Sequence, residues 1–218
     1  MPGKEKYIVA KVTAPLFSFT ASGKLADSLV FMSWKGLNTV RKYVIPANPK
    51  SDDQITQRAY MKAIVPGIHK AQIRDTHPLN TTDYAAYSAL AAKLGKVMTW
   101  FNMICKLALD GMRIDDGWTV CSGGGLDDAD KDDFRPMISF TDNTVVQVQD
   151  GKFYLGTSPT NLLKSEVATV VVGGGAMLIN NAGFSGLVAG TKYYWQFRPD
   201  ALDPCEGADS GIYSALAT

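Results

Sequence analysis

Asp128, Asp130 and Asp132 alternate along one stretch of the chain, the spacing at which the first three ligands of a calcium loop offer carboxylates to a cation. That loop also needs a glycine directly after the third ligand and a glutamate at its twelfth position, where Asp133 and Ser139 stand. A solvated acidic loop is therefore the expectation, with no metal and no cofactor. His69 and His77 are the only histidines. Neither has a nucleophile or second acid at a spacing that would build a triad, so no catalytic residue and no enzymatic activity are expected. Gly123-Gly-Gly125 and Gly173-Gly-Gly175 resemble phosphate-cradling runs but lack the following Lys-Ser/Thr and helix, which leaves them as turns. Cys105, Cys121 and Cys205 show no CxxC spacing and read as buried free thiols. Among the tryptophans, Trp100 and Trp195 read as core, while Trp118 in a glycine-rich stretch is the least constrained.

The elements that must hold these groups change character along the chain. Of 218 residues, 46% are hydrophobic and 20% charged, enough apolar material for one large domain or two small ones. No apolar run reaches membrane-helix length, and the first residues lack a signal peptide's apolar stretch, so a soluble, non-secreted protein is expected. Ser28–Trp34, a Lys35-Gly36 turn and Leu37–Val44 predict a β-hairpin with apolar residues on both faces. Ile45-Pro-Ala-Asn-Pro-Lys50 is a rigid link. Helices are predicted from Asp52 to Val65, broken near Pro66-Gly67 and resuming through Gln72; from a Thr82-Asp83 cap to Leu94; and from Lys96 to Leu109. The third, with Val97, Trp100, Phe101 and Ile104, is too apolar for an open surface.

Residues 114–135 read as an acidic, glycine-rich linker. Beyond Pro136 short strands recur at Met137–Phe140, Thr144–Gln149, Lys152–Leu155, Val167–Val172, Ala176–Ile179, Lys192–Arg198 and Ile212–Ala215, a pattern that suggests an antiparallel β-sandwich. On the sixth of these, Tyr193, Trp195 and Phe197 are expected inside, with Tyr194, Gln196 and Arg198 outside. Leu187-Val-Ala-Gly-Thr-Lys-Tyr193 resembles the Leu-x-Pro-Gly-Thr-x-Tyr corner of fibronectin type III and immunoglobulin-like modules, with Ala189 where proline is common. The resemblance implies that Leu187, Gly190 and Tyr193 form a structural corner whose tyrosine hydroxyl bonds back to the chain. The fold expected is α+β in two domains: an N-terminal arm, hairpin and small helical cluster over 1–113, and a fibronectin III/Ig-like sandwich over 136–218.

Charge is divided as well. Through Arg113 there are sixteen cations against seven acids, and after it six against fourteen. Opposed halves attract within or between copies, with head-to-tail assembly as one outcome. Lys/Arg blocks no longer than the Arg41-Lys42 pair argue against nucleic acid. Ser22-Gly-Lys-Leu25, Trp34-Lys-Gly36, Arg41, Pro46-Ala-Asn-Pro49 and Gln54-Ile-Thr-Gln-Arg58 resemble a family of small phage and prophage proteins. The resemblance implies a virion component, assembled in the host cytoplasm, whose partners are its own copies and other virion proteins. Phe17, Phe19, Phe31 and Trp34, with Arg41, Lys42, Tyr43 and Asn48, are then the expected assembly contacts. The alternative is a module whose C-terminal domain recognises a carbohydrate or host surface.

Overall fold

The computed structural model describes residues 23–25, 28–34, 37–45, 47–48, 50–114, 117–141, 151–171, 177–179, 183–200, 205 and 207–218. They form two compact units, divided between Ser51 and Asp52. The chain is mixed α/β, with three helices and several antiparallel sheets among the described residues.

The first unit holds strands β1 (Gly23–Leu25), β2 (Leu29–Trp34) and β3 (Leu37–Lys42) in that spatial order. The predicted hairpin is present, with Trp34 opposite Leu37 and Leu29 opposite Lys42, and β1 adds a third strand on the other side of β2. The register places Leu29, Phe31, Val40 and Lys42 on one face and Val30, Met32, Thr39 and Arg41 on the other.

In the second unit the helices come first. α1 (Asp52–Gln72) runs without a break through Pro66. The carbonyl that Pro66 leaves without a donor belongs to Lys62; both residues are exposed, so water can take the place of the lost bond and the expected interruption does not occur. Ile64, Ile68 and Ala71 supply its buried stripe. α2 (Thr81–Lys93) is capped by Asn80, two residues earlier than the Thr82-Asp83 reading. The Asn80 side chain accepts from the Thr82 and Asp83 amides, and the Asp83 carboxylate accepts from the Asn80 amide. α3 (Trp100–Arg113) begins at its Thr99 cap, so Val97 lies outside it and fully exposed. Tyr84 of α2 stacks on Trp100 of α3 at 4.0 Å between ring centroids.

The segment expected as a linker is mostly strand. β4 (Val120–Asp130) pairs with β5 (Asp133–Thr141), with register shifts at Ser122/Gly125 and Leu126/Asp128. Its glycines serve close approach: a Cβ on Gly124 would overlap the Tyr213 ring. Trp118, expected to be loosely held, is buried against Gly67 of α1, where a Cβ would meet its ring. Further strands are β6 (Gly151–Gly156), β7 (Lys164–Val167), β8 (Thr169–Val171), β9 (Met177–Ile179), β10 (Lys192–Pro199) and β11 (Tyr213–Leu216). The strand expected at Thr144–Gln149 lies outside the described residues.

Two four-stranded antiparallel sheets result, ordered β11-β10-β6-β7 and β4-β5-β9-β8. The single residue Ala168 separates β7, which pairs with β6, from β8, which pairs with β9 in the other sheet. Aromatic rings join the sheets. Phe140 of β5 meets Phe197 of β10 edge-on at 5.5 Å, and Phe134 lies 6.3 Å from Tyr193. Phe153, Leu155, Trp195 and Ile138 are fully buried around them, each worth about 1.5–3 kcal/mol of burial.

The helices are not a separate cluster beside this core. Ile212 donates its amide to the Ala86 carbonyl of α2 (3.0 Å), Tyr87 donates its hydroxyl to the Cys121 carbonyl (3.0 Å), and Arg74 reaches the Phe140 carbonyl (2.7 Å). Asp83 is the centre of this join. Fully buried, its carboxylate accepts from the amides of Asn80 (2.9 Å), Gly123 (3.2 Å) and Gly124 (3.2 Å) and from the Tyr213 hydroxyl (2.8 Å). A helix start, the bulged part of β4 and the head of β11 thus converge on one side chain.

Asp83→Ala orphans all four donors and is expected to lower the unfolding free energy by about 3–5 kcal/mol, whereas Tyr213→Phe, which leaves the three amides satisfied, costs about 1–2 kcal/mol. Urea unfolding followed by tryptophan fluorescence measures both. An Asp83→Ala cost no larger than that of Tyr213→Phe removes the carboxylate from this role.

Candidate assembly surface

The sequence-predicted contacts concentrate in the first unit, and its side chains sit accordingly. None of the described side chains there is buried, and the first buried hydrophobic side chain among the described residues is Ile64. Phe31, Val30 and Met32 are half-buried, and Val40 is 56% and Ile45 77% exposed. Arg41 and Lys42 are exposed and, from the register, project to opposite faces of the sheet. Tyr43 is half-buried and continues the ladder through its amide to the Ser28 carbonyl (2.8 Å); Asn48 is exposed. Trp34 ends β2 in backbone position, and Phe17 and Phe19 lie outside the described residues. Each face therefore carries apolar side chains with a cation at one end. Among the described residues, β1 and β3 pair with no further strand, which leaves edges able to accept another chain.

Elsewhere, the groups with chemical potential are committed to structure. Both Asp83 oxygens are fully used by the four donors described above. Burial pushes the Tyr87 and Tyr213 hydroxyls well above their ordinary values, and Cys121 and Asp83 reinforce this for Tyr87 as Asp83 and Tyr87 do for Tyr213. All three cysteines are buried and none forms a disulfide. Burial raises Cys121, whose thiol donates to the Ala208 carbonyl (3.4 Å), and it raises Cys105 as well, so neither offers an activated thiolate.

The acidic turn behaves as a turn. Asp128 and Asp130 each accept the amide two residues on, at 2.9 and 2.8 Å, while Asp132 pairs with Lys131, and Asp133 with Arg135. No group of three or more His, Cys, Asp or Glu placed to hold a metal ion occurs among the described residues, and no described helix is long and apolar enough to cross a membrane.

The 187–193 segment turns the chain ahead of β10. Leu187 and Tyr193 are buried, Gly190 turns the chain at φ +74°, and the Tyr193 hydroxyl accepts the Val188 amide at 3.0 Å.

One position on β10 departs from the simple alternation. Gln196, expected outside, is fully buried because Lys93 from the end of α2 closes over it. Its amide nitrogen donates to the Ser210 carbonyl (3.0 Å), and its oxygen accepts from Lys93 (3.5 Å) and Arg198 (3.1 Å). Asp209 lies partly buried beside these cations. Burial raises its carboxyl to about 6 against the pull of Arg198 and Lys93; the Lys93 ammonium is itself lowered, first by burial and then by Arg198. Nothing in the sequence near Asp209 marks this cluster, because its members come from α2, β10 and the segment before β11.

The chain matches no known family model, no curated protein and no solved structure.

Because the folded value of Asp209 lies above its ordinary 3.8, the folded chain keeps a proton between about pH 4 and 6 that the unfolded chain has released, and this group's contribution to stability falls as the pH rises through that window. Asp209→Asn is expected to remove that decline and to raise stability at neutral pH by about 1–3 kcal/mol relative to the parent. Urea unfolding of both proteins across the window measures it, and parallel curves for the two count against a strained carboxyl.

Proposed function

We propose that this chain is a non-enzymatic structural protein of a phage particle, which self-associates and docks on the capsid or tail through its first unit while the second unit projects. The observation that carries the reading is that none of the described side chains of β2 and β3, Leu29 to Met32 and Thr39 to Lys42, is buried, although both faces of this sheet carry apolar residues. A sheet of this size is marginal alone, and surfaces of this kind are covered in assemblies. Its open edges and flanking cations fit a contact made repeatedly between copies. The particle itself follows from the resemblance of Trp34-Lys-Gly36, Arg41, Pro46-Ala-Asn-Pro49 and Gln54-Ile-Thr-Gln-Arg58 to phage and prophage proteins.

For the second unit, the strand order supports the fibronectin III/Ig-like reading. Sheets ordered β4-β5-β9-β8 and β11-β10-β6-β7, with ring contacts between them, match the A-B-E-D and G-F-C pattern of immunoglobulin-like sandwiches, the latter extended by one strand. The Leu187, Gly190 and Tyr193 corner fits the same scheme. Such a scaffold serves binding and spacing more often than catalysis, in keeping with the role proposed.

Replacing Arg41 and Lys42 by glutamate is expected to weaken self-association and particle binding by about tenfold or more, with salt having a similar effect on the parent protein. Since the two side chains sit on opposite faces, single replacements report which face docks. Sedimentation velocity and co-sedimentation with particles are the measurements, and density for the chain in a reconstruction of the intact particle is the direct check. A parent protein that stays monomeric at high concentration and binds no particle overturns the reading.

A further inference from the structure

Two patches of opposite charge on the second unit stand out among its exposed charges. One lies on the outer face of β6 and β10, where Lys152 stands opposite Arg198 and Tyr154 opposite Gln196, with Lys93 of α2 alongside. The Arg198 guanidinium sits 4.4 Å over the Tyr154 ring centroid and is steadied by Nε donating to Gln196. Lys152, Lys93 and Arg198 are all half-exposed; Asp209 is the acid that acts on Lys93 and Arg198, and Asp200 follows the strand in sequence. The other pole is the turn between β4 and β5, where Asp127, Asp128, Asp130, Asp132 and Asp133 outnumber Lys131 and Arg135. The Asp127 and Asp132 side chains are 48% and 63% exposed.

These poles lie at opposite ends of the unit. Thr218 donates to the Ala129 carbonyl (2.8 Å), Lys131 to the Thr218 carbonyl (2.9 Å), and Ala217 to the Thr191 carbonyl (3.1 Å), which fixes the acidic turn at the end where β10 begins. Arg198 and Lys152 lie near the far end of β10, six residues beyond Lys192, or about 20 Å at the usual rise of a strand. Within one chain the two patches cannot meet.

The geometry points to a head-to-tail contact between copies of this chain, in which the Lys93/Lys152/Arg198 face of one second unit receives the Asp127–Asp133 turn of the next. Charge complementarity names the occupant, since the one strongly acidic exposed turn among the described residues belongs to the same chain. The aromatic rings argue in the same direction. Tyr154 is covered by Arg198, and Tyr194 by Lys192 at 5.4 Å, so neither ring face is open for a sugar to stack on, while the cations are held outward for carboxylates. A contact between two different patches is heterologous and generates a ring or a filament, not a closed dimer. The inference rests on the reading of the chain as a self-associating protein but uses surfaces separate from the hairpin.

Two full-length variants test it: Lys152→Glu with Arg198→Glu, which makes both poles acidic, and Asp127→Lys with Asp132→Lys, which makes both basic. Lys152→Glu alone serves if the double face variant loses its fold, judged by circular dichroism and melting. Each is made in the parent chain and in the Arg41→Glu/Lys42→Glu chain, so that hairpin contacts are scored separately. Either variant alone is expected to associate about tenfold or more weakly than its background, and an equimolar mixture to recover association, because each variant then meets its complement. Raising salt from about 0.1 M to about 1 M, which shortens the screening length from about 10 Å to about 3 Å, is expected to abolish the recovered contact. A mixture no better associated than its components overturns the inference, as does association of either variant at its background's strength. So does a protein that binds a sulfated oligosaccharide through the Lys152/Arg198 face while showing no contact between copies. Failure of the hairpin reading shows differently, as association unaffected by the Arg41 and Lys42 replacements.

Discussion

The buried carboxylate of Asp83 ties together three parts of the second unit: the start of α2, the bulged stretch of β4 and the head of β11. Alone in a low-dielectric interior such a group would be costly, and four converging donors turn the cost into a constraint. One donor caps α2, two come from the irregular stretch of β4, and the last is the Tyr213 hydroxyl of β11. Moving any of these elements by an ångström leaves a charge partly unsatisfied. The bulges in β4 follow from the same demand, because a regular strand would not aim two successive amides at one carboxylate. Helices and sheets are thereby one folding unit, which explains why the compact division falls at Ser51 and not between helices and strands.

A second polar group on the same body is satisfied less completely. Gln196 is buried with partners on both ends of its amide, yet neighbouring Asp209 keeps a carboxyl that burial holds near neutrality. Asp83 receives hydrogen bonds directly, whereas Asp209 has the diffuse influence of Arg198 and Lys93. Direct donors and nearby charge are different remedies for burial, and the contrast shows which region is rigidly specified and which tolerates change.

Much of this was legible in the sequence, and what was not shares a cause. The hairpin, the three helices, the strand-rich second half and the Tyr193 corner are local patterns of alternation, capping and turn chemistry, and they appear where those patterns lie. The helix caps slip by one or a few residues because Asn80 and Thr99 compete with equally good neighbours. The larger departures depend on partners distant in the chain. Gly123-Gly-Gly125 has a linker's composition, but Gly124 admits Tyr213, some ninety residues later. Trp118 reads as the least constrained tryptophan because Gly67, which receives it, lies some fifty residues earlier, and Gln196 reads as exposed because Lys93 is about a hundred residues away. The role of Asp83 was hidden in the same way: a carboxylate in the first turn of a helix is ordinary, and only the arrival of β4 and β11 makes it central.

The passage from β7 to β8 through Ala168 has its own consequence. A strand that leaves one layer and enters the other with one residue between acts as a stitch, fastened midway where the Ala168 amide meets the Gly151 carbonyl at 2.9 Å. A slip in the first layer must then be copied into the second, so neither layer can settle on its alignment independently. The two sheets are keyed to each other along the backbone as well as through their rings, and sliding one across the other would require breaking ladders on both sides at once.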